Sequence, residues 1–171
     1  MYDWEVEDPV FNTWVRLRQT WEAFQRALEL ELEVHQTTLP QIDILLILSA
    51  SKTPLSPTEI ANYVFREKHS TSGLLTRMEK AGYVRKSRSS KDQRTVKVRI
   101  QPKGEDLLKR AVGSTFGYAR QIMVSSLATG EITQLDGLLK KLRDGAAEEL
   151  GLGVEPLPQK VDKGQMLRRP K

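Results

Sequence analysis

The sequence of 171 residues contains no cysteine and only two histidines. The missing cysteine excludes disulfides, thiolate nucleophiles, iron–sulfur clusters and cysteine-based zinc sites. His35 and His69 are too few for a histidine-rich metal centre, so we expect neither a metal nor a cofactor. The sequence also lacks a nucleophile elbow, a glycine-rich phosphate loop and a histidine paired with a carboxylate. We therefore predict no catalytic residue and do not expect an enzyme.

Long apolar runs are absent as well. The most apolar stretch, Ile42 to Leu48, is far shorter than the roughly 18 to 20 residues that span a bilayer. The N-terminus is acidic, whereas a secretory signal peptide begins with positive charge. We therefore expect a cytoplasmic protein with no membrane partner. The length and the hydrophobic content of 39% suit one ordinary domain.

Positive charge is concentrated in one segment. The net charge of the chain is only +5, but residues 66–103 hold twelve Lys or Arg and three acidic residues, which gives +9. Residues 1–36 carry −5. Such a concentration is typical of proteins that bind the phosphate backbone of nucleic acids, and a solvated basic surface is the alternative.

Two helices are predicted before residue 51. From Pro9 to about Val34, apolar residues recur three and four positions apart, which indicates a long amphipathic helix whose apolar face needs a partner. This apolar face consists of Trp14, Leu17, Trp21, Phe24 and Leu28. The segment from Gln41 to Ala50 is apolar nearly all round and predicts a buried central helix.

Two shorter helices follow. Ser56, Pro57 and Glu59 form a helix-start signal with a capping box, for a helix that runs to about Val64. The next helix is predicted over residues 68–81 and ends at a C-cap glycine, Gly82. Its buried face is expected to consist of Thr71, Leu74, Leu75 and Met78.

A hairpin and two further helices complete the pattern. Residues 83–87 and 95–101 alternate as strands do, and in the second strand we expect Val96, Val98 and Ile100 to point inward. One helix is predicted from Pro102 to about Leu127, and another begins after Thr129 as its N-cap. The apolar face of the last helix consists of Ile132, Leu135, Leu138, Leu139, Leu142 and Ala146.

This order predicts a mostly α protein with a winged helix-turn-helix, in which a two-stranded wing follows the helix-turn-helix. The predicted organisation is an N-terminal helix in residues 1–36, a winged helix-turn-helix lobe in 37–103, C-terminal helices in 104–150 and a flexible tail in 151–171. The helix at 68–81 and the hairpin both lie within the +9 segment. Their position favours nucleic-acid binding over a merely solvated surface.

Four stretches carry a resemblance to a known family. They are Leu55 to Ala61, Leu74 to Arg85, Lys91 to Arg94, and Ile100 to Gly104. Together they resemble the MarR family of bacterial transcription regulators. The resemblance implies a homodimer, formed by the N- and C-terminal helices, that binds a pseudo-palindromic operator in double-stranded DNA, often as a repressor released by a small-molecule effector. The alternative is a winged-helix interaction module that docks on protein or RNA.

The predicted DNA-binding residues fall into three groups. The exposed side of the helix at 68–81 is expected to enter the major groove, with Lys68, His69, Ser70, Ser72, Gly73, Thr76 and Arg77. At the wing, Arg88 and Lys91 flank Asp92, which can brace Arg94 for a narrow minor groove. Phosphate contacts are expected from Ser56, Lys86, Lys97 and Arg99.

For two further sets of residues, the sequence leaves more than one role open. Gly73 stands where the family usually has a polar or basic residue, so a direct DNA contact from that position is in doubt. Effector sites in this family lie between the dimerisation helices and the DNA-binding lobe, which makes Trp14, Trp21 and Phe24 candidates for effector binding. The alternative is that they are interface or core residues, which is what apolar side chains at helical spacing more often are.

Overall fold

The computed structural model describes residues 5–88 and 95–152. Within these ranges the chain forms, in order, α1 (Pro9–Glu33), α2 (Leu39–Ala50), α3 (Pro57–Tyr63), α4 (Lys68–Lys80), β1 (Val84–Arg88), β2 (Val96–Ile100), α5 (Pro102–Ser126) and α6 (Thr129–Glu149). The predicted order of helices and hairpin is confirmed. Of the predicted tail, residues 153–171 lie outside the described residues.

Helix α2 lies at the centre of the core, as its apolar sequence predicts. Ile44 and Leu45 have no exposed surface, and α2 contacts α1, α3, α5 and β2. Because α2 is apolar nearly all round, only a position enclosed on several sides removes its surface from water. The winged helix-turn-helix and the long helices α1 and α5 therefore share one hydrophobic core.

The wing is anchored to the core at its base. β1 and β2 pair antiparallel from Val84 opposite Ile100 to Arg88 opposite Val96. Leu55 pairs with Val98 on the other side of β2, with N–H···O distances of 3.2 and 2.7 Å. Val84 and Val98 are buried, whereas Val96 is 37% exposed. Val96 shares a face of β2 with Val98, but its expected burial is wrong, because it lies outside the hydrophobic core.

Local signals fix most helix ends. Ser56 and Glu59 form the predicted capping box: the Ser56 N–H donates to Glu59 Oε2 at 2.6 Å, and the Glu59 N–H donates to Ser56 Oγ at 3.2 Å. Gly82 adopts φ +79°, as a C-cap glycine should. The predicted N-cap Thr129 is wrong by one residue, since the cap is Ala128, whose N–H donates to the Glu131 carboxylate at 2.7 Å.

Helix α5 begins directly against the wing. Only Gln101 separates β2 from α5, and the backbone of Gly104 is so close to the Tyr83 carbonyl oxygen that a Cβ at this position would clash with it. A Cβ would also lie 3.1 Å from Leu45 and from Ile100. Glycine is therefore required here by packing, which explains one of the motif positions in physical terms.

The apolar faces of the outer helices are largely exposed. Trp14 and Trp21 on α1 are 57% and 59% exposed, and Leu138 and Leu142 on α6 are exposed as well. The buried position of α6 is Ala147. The apolar faces predicted from the sequence are present, but within the described part of a single chain they remain open to solvent. No helix in the described ranges is both long and apolar enough to cross a membrane.

Replacing Thr71 by Val should stabilise the fold. Thr71 is fully buried, and its hydroxyl is the one buried side-chain polar atom in the described ranges without a hydrogen-bond partner. Since Val has nearly the same shape, Thr71→Val should raise the free energy of unfolding by about 1 kcal/mol. Urea denaturation followed by circular dichroism measures the change.

Thr115 provides the matched control. It is also buried, but its hydroxyl donates to the Ala111 carbonyl oxygen at 2.6 Å. Thr115→Val should therefore lower the free energy of unfolding by about 1 kcal/mol. Equal losses in both variants would contradict the assignment of Thr71 as an unsatisfied hydroxyl.

Candidate nucleic-acid interface

Helix α4 presents one polar face to solvent, as predicted. The residues on its other side, Thr71, Leu74, Leu75 and Met78, are buried against the lobe. The exposed face comprises Lys68, His69, Ser70, Ser72, Gly73, Thr76 and Arg77. Their exposure is confirmed, and their contact with DNA stays a prediction. The face offers cations, an imidazole and short hydroxyls, which are groups that hydrogen-bond to base edges and phosphates.

Gly73 is not required by packing. A Cβ at this position would meet only Arg77 Nη1, at 4.0 Å, and the backbone is ordinary helix. Glycine at an exposed helical position costs stability relative to alanine. The folded chain on its own therefore offers no reason for the absence of a side chain here.

Two of the lysines that were predicted to contact phosphates pair with carboxylates of the same lobe. Lys97 Nζ lies 3.0 Å from Glu59 Oε2, which joins β2 to α3. Lys86 Nζ lies 3.9 Å from Glu79 Oε2 and donates to Thr76 Oγ1 at 2.7 Å, which joins β1 to α4. These partners reduce the positive charge that either lysine offers to a phosphate.

Glu59 is stabilised in its charged form. Partial burial, the largest single influence, raises the pKa of Glu59, but hydrogen bonds from Ser56 and Lys97 and the charge of Lys97 together lower the pKa below its ordinary value. The carboxylate thus serves the α3 cap and the wing at once. Ser56, a predicted phosphate contact, already accepts the cap hydrogen bond.

Three arginines stand at exposed positions in the described part of the hairpin. Arg88 is exposed at the end of β1, where the predicted wing tip begins. Arg85 and Arg99 are also exposed and stand directly opposite each other across the two strands. Like charges in such a pair repel, so an anion near them is favourable. Lys91, Asp92 and Arg94 lie outside the described residues.

Sequence reasoning did not single out Arg85 or Glu79. Arg85 could have been found from strand register, because it pairs with Arg99, which was itself a predicted contact. No comparable signal exists for Glu79, whose contact with Lys86 spans the turn between a helix and a strand.

The candidate effector residues lie along α1. Trp14 and Trp21 are exposed and Phe24 is half-buried. A cleft of about 170 Å³ lies elsewhere, between the end of α2, residues 51–54, β2 and the start of α5. Its lining includes Lys52, Arg99 and Glu105 but none of the three aromatic residues. The structure of one chain thus does not bring these aromatic side chains into that cleft.

The pKa of Asp43, on the central helix α2, is shifted by its surroundings. Burial raises the pKa of Asp43, and the nearby charge of Arg66 partly opposes this shift. Arg66 lies in the turn between α3 and α4.

Comparisons with known proteins agree on one family. A family model described as "MarR family" matches residues 35–95. The HTH-type transcriptional regulator TtmR of Methylorubrum extorquens (strain PA1) is 33% identical over 116 residues, which cover 63% of this chain and 59% of TtmR. The chain therefore matches less than two thirds of the length of this relative.

Two solved structures share the fold. The crystal structure of AbsC, a MarR family transcriptional regulator from Streptomyces coelicolor, matches with a TM-score of 0.76 and 22% identity over 86% of this chain and 99% of AbsC. The S. aureus MepR-DNA complex matches with a TM-score of 0.69 and 23% identity over 77% of this chain and 96% of that chain. The predicted winged helix-turn-helix fold is confirmed.

Replacing Gly73 by Ala should stabilise the free protein. The new methyl group has open space around it, and alanine favours the helix over glycine by about 1 kcal/mol. Thermal unfolding followed by circular dichroism should show a higher midpoint. A lower midpoint would mean that the surroundings of Gly73 are more crowded than the structure indicates.

Proposed function

We propose that the chain is a MarR-family transcription regulator that binds double-stranded DNA sequence-specifically as a homodimer, which its similarity to a MarR family model, to TtmR and to AbsC supports. The single observation that carries this proposal is the exposed polar face of α4, which lies beside the exposed arginines of the hairpin inside the +9 segment. This arrangement combines groups that contact base edges with charges that attract phosphates.

The two DNA-contacting elements have distinct roles in this proposal. Helix α4 enters the major groove, with Lys68, His69, Ser70, Ser72, Gly73 and Arg77 nearest the bases. The wing reaches the adjacent minor groove through Arg88, Lys91, Asp92 and Arg94. The shared fold of the MepR-DNA complex supports docking of this kind. Ser56, Lys97 and Arg99 contact phosphates, Lys97 with reduced charge because Glu59 holds it. Lys86 is instead held by Glu79 and Thr76.

Dimerisation is supported by the exposed apolar faces of the outer helices. Trp14 and Trp21 on α1 and Leu138 and Leu142 on α6 expose large apolar surfaces that a second chain can cover. A two-fold dimer presents two α4 helices to successive major grooves about one helical turn apart. The operator is therefore pseudo-palindromic.

Regulation is proposed to be repression relieved by a small molecule. A dimer that covers an operator blocks other proteins from the same DNA, which is the simplest route to repression. The chain has no cysteine, so a cysteine thiol cannot act as the switch. The effector therefore binds non-covalently in this proposal, near the dimerisation helices. Its candidate contacts are Trp14, Trp21 and Phe24.

Selection of binding sites from a random duplex pool, followed by a salt titration, tests the function. The selected duplex should contain two related half-sites, and its affinity should fall steeply with salt, as expected for roughly 6 to 10 neutralised phosphates. Arg94→Ala should weaken binding by about 1 to 3 kcal/mol. Fluorescence anisotropy measures both effects.

Arg120→Ala is the matched control, because it removes an exposed arginine from α5, outside the DNA-binding lobe. Its affinity for the selected duplex should equal that of the unmodified chain. A flat salt titration would overturn the proposal of DNA binding. An Arg94→Ala variant with full affinity would remove the wing from the mechanism.

Trp21→Glu should dissociate the dimer. A carboxylate in the middle of the exposed apolar face of α1 cannot be buried without a large cost. Sedimentation velocity should show the unmodified chain at twice its mass of 19.5 kDa and the variant at 19.5 kDa. Ala23→Glu adds the same charge to the other side of the same helix and should remain dimeric. A monomeric unmodified chain would contradict the prediction.

A further inference from the structure

Glu79 links the recognition helix to the first strand of the wing. Its Oε1 accepts the backbone N–H of Lys86 at 2.7 Å, and its Oε2 lies 3.9 Å from Lys86 Nζ. The same Nζ donates to Thr76 Oγ1 at 2.7 Å. A carboxylate and a hydroxyl of α4 thus hold both the backbone and the side chain of one residue of β1.

The backbone contact occurs at the free edge of the wing. Val98 uses its N–H and its carbonyl oxygen to pair with Leu55. Lys86, which stands opposite Val98, therefore points its own N–H away from β2, toward the outer edge of β1. This N–H needs an acceptor from outside the hairpin, and Glu79 supplies it.

The wing is held on its second strand in a similar way. Glu59 on α3 accepts a hydrogen bond from Lys97 on β2 at 3.0 Å. Each helix of the helix-turn-helix thus contributes one carboxylate to one strand. The Glu79 contact differs from the Glu59 contact because it also includes a backbone N–H of the strand, at 2.7 Å.

We propose that Glu79 is a positioning residue for DNA recognition, which fixes the wing relative to α4 so that both elements engage one DNA site together. The inference rests on the proposed function. In this proposal Lys86 makes structural contacts with Glu79 and Thr76, in place of the phosphate contact predicted from the sequence. Glu79 itself does not touch DNA in this account.

Electrostatics and positioning predict opposite effects when Glu79 is removed. Loss of a carboxylate from a basic surface strengthens attraction to any DNA. Loss of a positioning contact weakens only the binding that requires helix and wing to fit the same site. The ratio of affinities for a specific and a random duplex separates the two effects.

The experiment compares Glu79→Ala and Glu79→Gln in the full chain, on the duplex selected by the unmodified protein and on a random duplex of equal length. Glu79→Ala should lower the ratio of specific to random affinity by about tenfold, the equivalent of one lost charged hydrogen bond. Glu79→Gln should lose less, because its amide oxygen can still accept the Lys86 N–H. Melting curves verify that both variants fold.

Two further variants sharpen the result. Glu105→Ala removes the same charge from an exposed position at the start of α5 and should leave the affinity ratio unchanged. Lys86→Met should leave the salt slope of specific binding unchanged, whereas loss of a phosphate contact would reduce the slope by about one. A reduced slope, or equal gains in affinity for both duplexes in Glu79→Ala, would overturn the positioning role.

Hydrogen exchange separates this inference from the proposed function. In the free protein, the Lys86 amide should exchange faster in Glu79→Ala than in the unmodified chain, while amides in α2 keep their protection. Failure to select any duplex would overturn the proposed function and the recognition role with it. Selection of a duplex together with unchanged Lys86 exchange in Glu79→Ala would overturn the inference alone.

Discussion

The burial of α2 on several sides is the constraint from which the rest of the structure follows. A helix of this composition is stable only when other elements cover it. The chain supplies α1 and α5 from the long helices and α3 and β2 from the winged helix-turn-helix. The winged helix-turn-helix lobe and the long helices are therefore not two units joined by a linker, because the same residues of α2 form the core of both.

Much of the fold was predictable because its signals are local. The capping box of Ser56 and Glu59, the glycine that ends α4 and the spacing of the buried residues in α4 each depend on residues within a few positions of one another. The errors arose where local patterns were insufficient. The alternation of apolar residues continues to Val96, although this residue is outside the core. Thr129 is a residue type typical of an N-cap, but the cap is Ala128, whose N–H donates to the Glu131 carboxylate.

The contacts that organise the candidate site were not predictable in the same way. Glu59 and Lys97 are 38 positions apart, and their meeting depends on the packing of α3 against the hairpin. The formal charge of +9 in segment 66–103 therefore overstates the positive charge that is free on its surface. Lys86 and Lys97 are held by carboxylates, and Lys103 donates to the Ala81 carbonyl oxygen and lies over the Tyr83 ring. Among the described residues, these three lysines contact other groups of the protein, whereas Arg85, Arg88 and Arg99 are exposed.

The close contact at Gly104 couples the hairpin mechanically to α5. The first turn of this helix of 25 residues touches the Tyr83 carbonyl oxygen, and a single residue separates it from β2. Because a single residue connects the two elements and their backbones are in contact, a tilt of α5 also moves the base of the hairpin. A helix rising about 1.5 Å per residue is roughly 37 Å long, so a tilt of a few degrees about its far end displaces the wing by about 2 to 3 Å. The position of the wing is thus set by the orientation of α5.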